Sequence, residues 1–225
     1  MGKKVDRPGV RDGYDLWSET YDATPNPLVA LDRRYTISLL RPRPFERILD
    51  AGCGTGVHLG LMLLALSRPV GLDLSRGMLR VARRKFPSVP LAQADLDNRL
   101  PVRRRIFDAV LCALVSEHVT KLKLLFAEFF KSLAAGGRLV FSAFHPEMAA
   151  AGIEANFERN GVEHRLGALR YTVDDYLNMI DGVGFRDIRV SEFHGDEALA
   201  EQIPRAVKYL GRPLMLAVQA TKAQP

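Results

Sequence analysis

Short apolar runs alternate with helical patterns along most of this chain. The runs Arg47 to Ala51, Pro69 to Leu72, Val89 to Gln93, Phe107 to Cys112, Arg138 to Phe144, Phe185 to Phe193 and Leu214 to Ala220 read as strands. Several are apolar throughout, as strands buried on both faces are. Helical patterns fall between them at Val57 to Leu66, Ser75 to Lys85, Lys121 to Leu133 and Val173 to Val183. Ser75 and Thr172 are suited to cap two of these helices, and Gly136-Gly137 and Gly182 to Gly184 to end others. The alternation predicts an α/β fold, a mostly parallel sheet with helices on both faces.

Two segments break the rhythm. Residues 14–40 look helical, interrupted by Pro25 and Pro27, and residues 145–171 carry no strand pattern. With residues 194–212, the latter are expected to be variable lid or acceptor-site segments, and residues 1–40 a helical flap. Residues 1–13 are charged and expected to be mobile. The 225 residues form a single expected domain.

Glycines 52, 54 and 56 follow the strand ending at Asp50, where a ligand can approach the backbone without meeting a Cβ. A strand, a glycine turn and a helix place a small molecule at the carboxyl edge of the sheet. The spacing is wrong for a dinucleotide loop, because the third glycine position holds Val57, and no Gly-Lys-Ser/Thr of a P-loop is present. Asp50 would repel a pyrophosphate but suits a bound ammonium, directly or by holding the loop in shape. Asp73, ending the second strand, can accept from ribose hydroxyls, and Asp95, after the third, from an adenine amino group. Adenine, ribose and an amino-acid tail together describe S-adenosylmethionine (SAM).

Ile48-Leu-Asp-Ala-Gly-Cys-Gly-Thr-Gly56, Gly71-Leu-Asp-Leu-Ser75, Ala94-Asp95, Phe107-Asp-Ala-Val110, Glu117-His-Val119 and Leu133-Ala-Ala-Gly-Gly-Arg-Leu-Val140 occur in that order. In these the chain resembles a class I SAM-dependent methyltransferase of the small-molecule, methyltransferase-type-11 kind. The resemblance implies a Rossmann-like seven-stranded sheet with its last strand antiparallel. It implies methyl transfer from SAM to oxygen or nitrogen of a small molecule. The alternatives are carboxyl methylation of an acyl group on a carrier protein, tRNA methylation, and SAM binding without turnover. Tyr14-Asp-Leu-Trp17-Ser-Glu-Thr-Tyr21-Asp22 resembles the family's N-terminal W-x-x-x-Y-D element, which often folds over the bound cofactor, so Tyr21 is expected to face the methyl donor and Trp17 to brace the flap. The expected cofactor set is Tyr21, Asp50, Gly52, Cys53, Gly54, Gly56, His58, Asp73, Leu74, Met78, Ala94, Asp95, Leu96, Cys112, Ala113 and His118.

His145, just beyond the fifth strand, is the candidate general base, with a lid-anchoring role as the alternative. Tyr21 is the other candidate catalytic residue. His164 and His194 lie in the variable segments. Cys53 and Cys112 form no disulfide framework and read as packing residues; no metal site is expected.

Net charge is +6, with arginine-rich runs at 33–34, 83–85 and 103–105. These read as a solvated surface or a face for an acidic carrier protein, with nucleic acid unlikely as a partner. The apolar run Leu59 to Leu66 is too short to span a bilayer, and the opening residues lack a secretory signal's apolar core. Asp6 stands where a myristoylation signal starting at Gly2 needs Ser or Thr. A cytoplasmic monomer or homodimer without membrane contact is the expectation.

Overall fold

A computed structural model describes residues 4–223; Gly2 lies outside the described residues. The chain opens with β1 (Lys4–Asp6), α1 (Val10–Trp17) and α2 (Pro27–Leu40). Then come β2 (Arg47–Ala51), α3 (Val57–Leu64), β3 (Arg68–Asp73), α4 (Arg76–Lys85), β4 (Leu91–Gln93) and β5 (Phe107–Ala113). Next are α5 (Leu122–Ser132), β6 (Leu133–Phe144), α6 (Pro146–Ala150), β7 (Asn156–Arg159), β8 (Val162–Arg165) and α7 (Val173–Gly182). The last elements are β9 (Phe185–His194), α8 (Glu197–Gln202) and β10 (Pro213–Lys222).

The seven expected strands form one sheet in the order β4-β3-β2-β5-β6-β10-β9. All neighbours are parallel except β10, which runs antiparallel to β6 and β9. Alternation along the central strands sorts side chains to two faces. Leu49 and Val110 pack with Phe126, Phe129 and Phe141. Ile48, Ala109 and Leu111 pack with Leu40 and Met62. Both faces are covered, which is why these strands read as continuous apolar runs.

Ser75 caps α4 by accepting from Met78 N, and Thr172 forms a capping box with Asp175 at α7. Strand order reverses between β2 and β5, the point where an open α/β sheet leaves a crevice at its carboxyl edge.

Three expectations need correction. Residues 1–13 are not loose where described: β1 pairs with β8, Lys4 opposite Val162, and α1 starts at Val10. Residues 145–171 do hold strands. β7 and β8 form a hairpin around Asn160-Gly161, with φ of 51° and 72°, the left-handed turn that this dipeptide favours. Gly136-Gly137 do not end a helix but lie within β6, beside the irregularity where β6 departs from its register with β5.

Candidate active site

The glycine loop is tied to the next strand. Gly52 N and Cys53 N donate to Leu72 O at 2.7 and 2.9 Å. Gly52 has φ +85°, and a Cβ there would lie 2.3 Å from Val115 Cγ2, so a side chain has no room. Gly54, at φ +53°, donates its N–H to Asp73 Oδ2 at 2.8 Å, and a Cβ on it would meet nothing within 4 Å. Its bare backbone therefore faces open space.

That space is a cleft of about 980 Å³, mouth included. Of the expected set, Tyr21, Gly52, Cys53, Gly54, His58, Asp73, Leu74, Met78, Asp95, Leu96, Ala113 and His118 line it. Asp50, Gly56, Ala94, Cys112 and His145 do not. Asp73 Oδ1 also accepts from Ser75 N at 2.8 Å. Burial raises the Asp73 carboxyl to about 6 against these backbone bonds. Asp95 accepts from Asp97 N and Asn98 Nδ2, each at 2.9 Å. A carboxylate has about four acceptor sites, so both keep capacity for ligand donors. Leu74, Met78, Leu96 and Val119 supply apolar wall between them. Two carboxylates with spare acceptor sites, an apolar wall and an open glycine loop fit a nucleoside with a charged tail.

The N-terminal segment covers this cleft through polar links. Asp15 Oδ1 accepts from Ser75 Oγ and Gly77 N, both at 2.6 Å. Asp22 accepts from Thr55 Oγ1 at 2.6 Å and from Lys85 Nζ at 2.9 Å. Tyr14, Trp17 and Tyr21 cluster beneath, Trp17 stacked on Phe157 at 4.9 Å between centroids. The Tyr14 hydroxyl lies 3.1 Å from His118 Nε2. Burial lowers the His118 pKa and holds the Tyr14 and Tyr21 phenols well above theirs. The imidazole is thus neutral near pH 7, and both phenols stay protonated.

Behind the loop lies a buried polar network. Asp32 accepts from Thr36 Oγ1 at 2.6 Å and Ser142 Oγ at 2.7 Å, and meets His58 Nε2 at 2.6 Å. Burial pulls the His58 pKa down, but the Asp32 bond and the Asp32 and Asp50 charges outweigh it and leave it raised. Asp50 is 1% exposed, its Oδ2 has no partner among the described residues, and burial lifts its carboxyl to about 7.

His145 sits apart from the cleft. It is 4% exposed, and its Nδ1 accepts from Glu147 N to cap α6. Its Nε2 lies 3.6 Å from Glu192. Pro146 starts the helix that this cap serves, which is the geometry of the lid-anchoring alternative, and His145 Nε2 is buried without a hydrogen-bond partner among the described residues. His164 pairs with Asp6 at 3.1 Å and stacks on Phe157, and His194 is exposed. Cys53 and Cys112 are buried, and burial raises both thiols, the state of packing residues.

A second cavity of about 1590 Å³ adjoins the first. Tyr14, Tyr21, Val29 and Leu114 line both. Its other walls come from both variable segments, among them Met148, Phe157, Glu163, Arg205, Lys208 and Tyr209. Sequence reasoning gave no role to Tyr14, Asp32 or Thr55. Tyr14 stands one turn before Trp17 on α1, and its ring lies 5.9 Å from that of Trp17, which was a usable signal. Asp32 sits in an apolar helix with no motif around it.

This sheet order, with a cofactor-sized cleft over a glycine loop at the switch point, defines a nucleoside-binding α/β protein. Residues 49–141 match the family described as Methyltransferase domain. A demethylmenaquinone methyltransferase of Streptomyces avermitilis is 32% identical over 146 residues, 62% of this chain and 62% of that protein. A malonyl-[acyl-carrier protein] O-methyltransferase of Serratia marcescens is 30% identical over 61% of this chain and 53% of that one. The chain thus spans less than two thirds of the length of these relatives. The crystal structure of an S-adenosylmethionine-dependent methyltransferase from Mesorhizobium loti superposes with a TM-score of 0.73 at 26% identity, covering 88% of this chain and all of that one. Residues 49–141 thus match a methyltransferase domain, and the fold is that of solved S-adenosylmethionine-dependent methyltransferases.

Proposed function

We propose that this protein transfers a methyl group from SAM to oxygen or nitrogen of a small molecule. The observation that carries the reading is the pair of adjoining cavities, cofactor-sized and acceptor-sized, that share Tyr14 and Tyr21 as a common wall. SAM supplies an electrophilic methyl group, so the protein's task is to align the acceptor, exclude water and manage one proton.

In this reading the Gly52–Gly54 backbone and Asp73 hold the amino-acid tail and ribose. Asp95, Leu74, Met78 and Leu96 hold the adenine, and His58, Ala113 and Cys53 complete the walls. Asp50 shapes the loop from behind. The flap, residues 1–40, closes the cleft through Asp15 and Asp22. Residues 145–171 and 194–212 form the acceptor side.

His118 Nε2 is the proton acceptor, reached through the Tyr14 hydroxyl. The phenol gives its proton to His118 as it takes one from the acceptor. A neutral imidazole suits this role. Tyr21 cannot act as a base while its phenol stays protonated, so it positions the acceptor as a donor.

A second reading, carboxyl methylation on an acyl carrier protein, is favoured by the Serratia marcescens relative and the +6 net charge. Incubation with methyl-labelled SAM and an extract, followed by mass spectrometry, tests both. Label in a small molecule supports the first reading, label on a carrier-bound acyl group the second, and no label in any product defeats both.

A further inference from the structure

One carboxylate oxygen in the acceptor cavity has nothing to bind. Glu117 lines that cavity, and its Oε2 is buried without a hydrogen-bond partner among the described residues. Buried polar atoms are nearly always paired, and a bare carboxylate is among the most costly exceptions. An orphaned acceptor on a cavity wall calls for a ligand that donates to it.

The surroundings define that ligand. Tyr14, Trp17, Tyr21 and Phe157 line the same cavity, with Trp17 and Tyr21 edge to face at 4.9 Å. Aromatic faces attract cations, and a carboxylate among them selects an ammonium over a neutral hydroxyl. The neighbouring carboxylates are already engaged: Glu154 with Arg7 at 3.1 Å, Glu163 with Arg165 at 3.0 Å. Arg205 and Lys208 also line the cavity, and neither has a carboxylate partner among the described residues. Arg205 donates to Pro25 O and Lys208 lies over the Tyr209 ring, so both exposed cations stand at the cavity without a paired carboxylate.

Resting on the methyltransferase reading, we propose that the acceptor is a small amine carrying an anionic group, its ammonium held by Glu117 and its anion by Arg205 and Lys208. The nitrogen then lies beside Tyr14 and Tyr21, at the wall shared with the cofactor cleft; it gives one proton through the Tyr14 hydroxyl to His118, and its freed lone pair takes the methyl group as S-adenosylhomocysteine leaves.

Calorimetry on the full chain saturated with S-adenosylhomocysteine tests this. The probes are 3-aminopropylphosphonate and 4-aminobutyrate, their hydroxy analogues 3-hydroxypropylphosphonate and 4-hydroxybutyrate, and n-butylamine. Each amino probe should bind at least about tenfold more tightly than its hydroxy analogue. The phosphonate and carboxylate arms distinguish the two anion types. Glu117→Gln should remove the amine preference and leave the affinity for S-adenosylhomocysteine and the hydroxy probes unchanged. Arg205→Ala with Lys208→Ala should weaken the anionic probes and spare n-butylamine. Equal binding of amino and hydroxy probes, no binding of either, or an unaltered preference in Glu117→Gln would overturn the inference. Failure to bind S-adenosylhomocysteine would instead defeat the methyltransferase reading beneath it.

Discussion

The Tyr14 hydroxyl and His118 Nε2 meet at 3.1 Å, the two rings edge to face at 5.4 Å between centroids. This contact joins the first helix of the flap to the turn after β5. It also links the wall shared by the two cavities to a neutral imidazole.

Tyr14→Phe keeps the ring packing and removes the relay. Turnover should fall by about ten- to a hundredfold, with SAM affinity little changed. His118→Ala should show a similar loss, and the double variant should lose little more, because the two act as one unit. Single-turnover kinetics with calorimetry on the same variants checks this. Full activity in Tyr14→Phe would remove the relay.

Asp73 ties cofactor affinity to pH. Its carboxyl is raised to about 6, and in the proposed site it accepts from ribose hydroxyls more strongly when ionised. SAM affinity should therefore fall as pH drops through 6. Asp73→Ala should cost about 2 kcal/mol of binding and flatten that dependence. Calorimetry between pH 5 and 8 measures both effects. Unchanged affinity would sink the ribose assignment.

Asp50 opposes folding when ionised. A buried carboxyl raised from 3.8 to about 7 binds more protons folded than unfolded. Its contribution thus becomes less favourable as pH rises from near 4 to 7, and the penalty is complete above 7. Asp50→Asn should raise Tm at pH 8 and change it least near pH 4. Thermal melts across that range decide it, and a stabilisation that does not grow with pH would contradict the account.

His58 behaves oppositely. The imidazole's folded pKa is raised, so its contribution is full below the unfolded value and is lost as pH rises through the folded one. Asp32→Ala strips the bonds to His58, Thr36 and Ser142 at once. It should cost about 3–5 kcal/mol, as breaking other buried charged pairs does. Urea titration of the variant checks this, and a loss well below that range would mean the network is weakly coupled.

The central strands were legible because they are buried on both faces, and two of the helices, α4 and α7, carry clear side-chain caps. That the glycine loop, Asp73 and Asp95 share one cleft was legible because all stand at strand ends on the same edge of the sheet. The β7–β8 hairpin was hidden by a polar, half-exposed pattern, although Asn160-Gly161 carried its turn signal. β1 was unreadable because it pairs with a strand over 150 residues away. The cap that His145 makes was not read from the sequence, although Pro146 after it marks a helix start. Asp32 and Glu117 matter through what surrounds them in space, and a linear pattern does not report that.

The most direct measurement is transfer of labelled methyl from SAM to a small molecule by the purified chain, beside Asp73→Ala and Tyr14→Phe. The account predicts a labelled product whose formation is lost at low SAM in the first variant and slowed at saturating SAM in the second. Tight SAM binding with no labelled acceptor from any extract would contradict it.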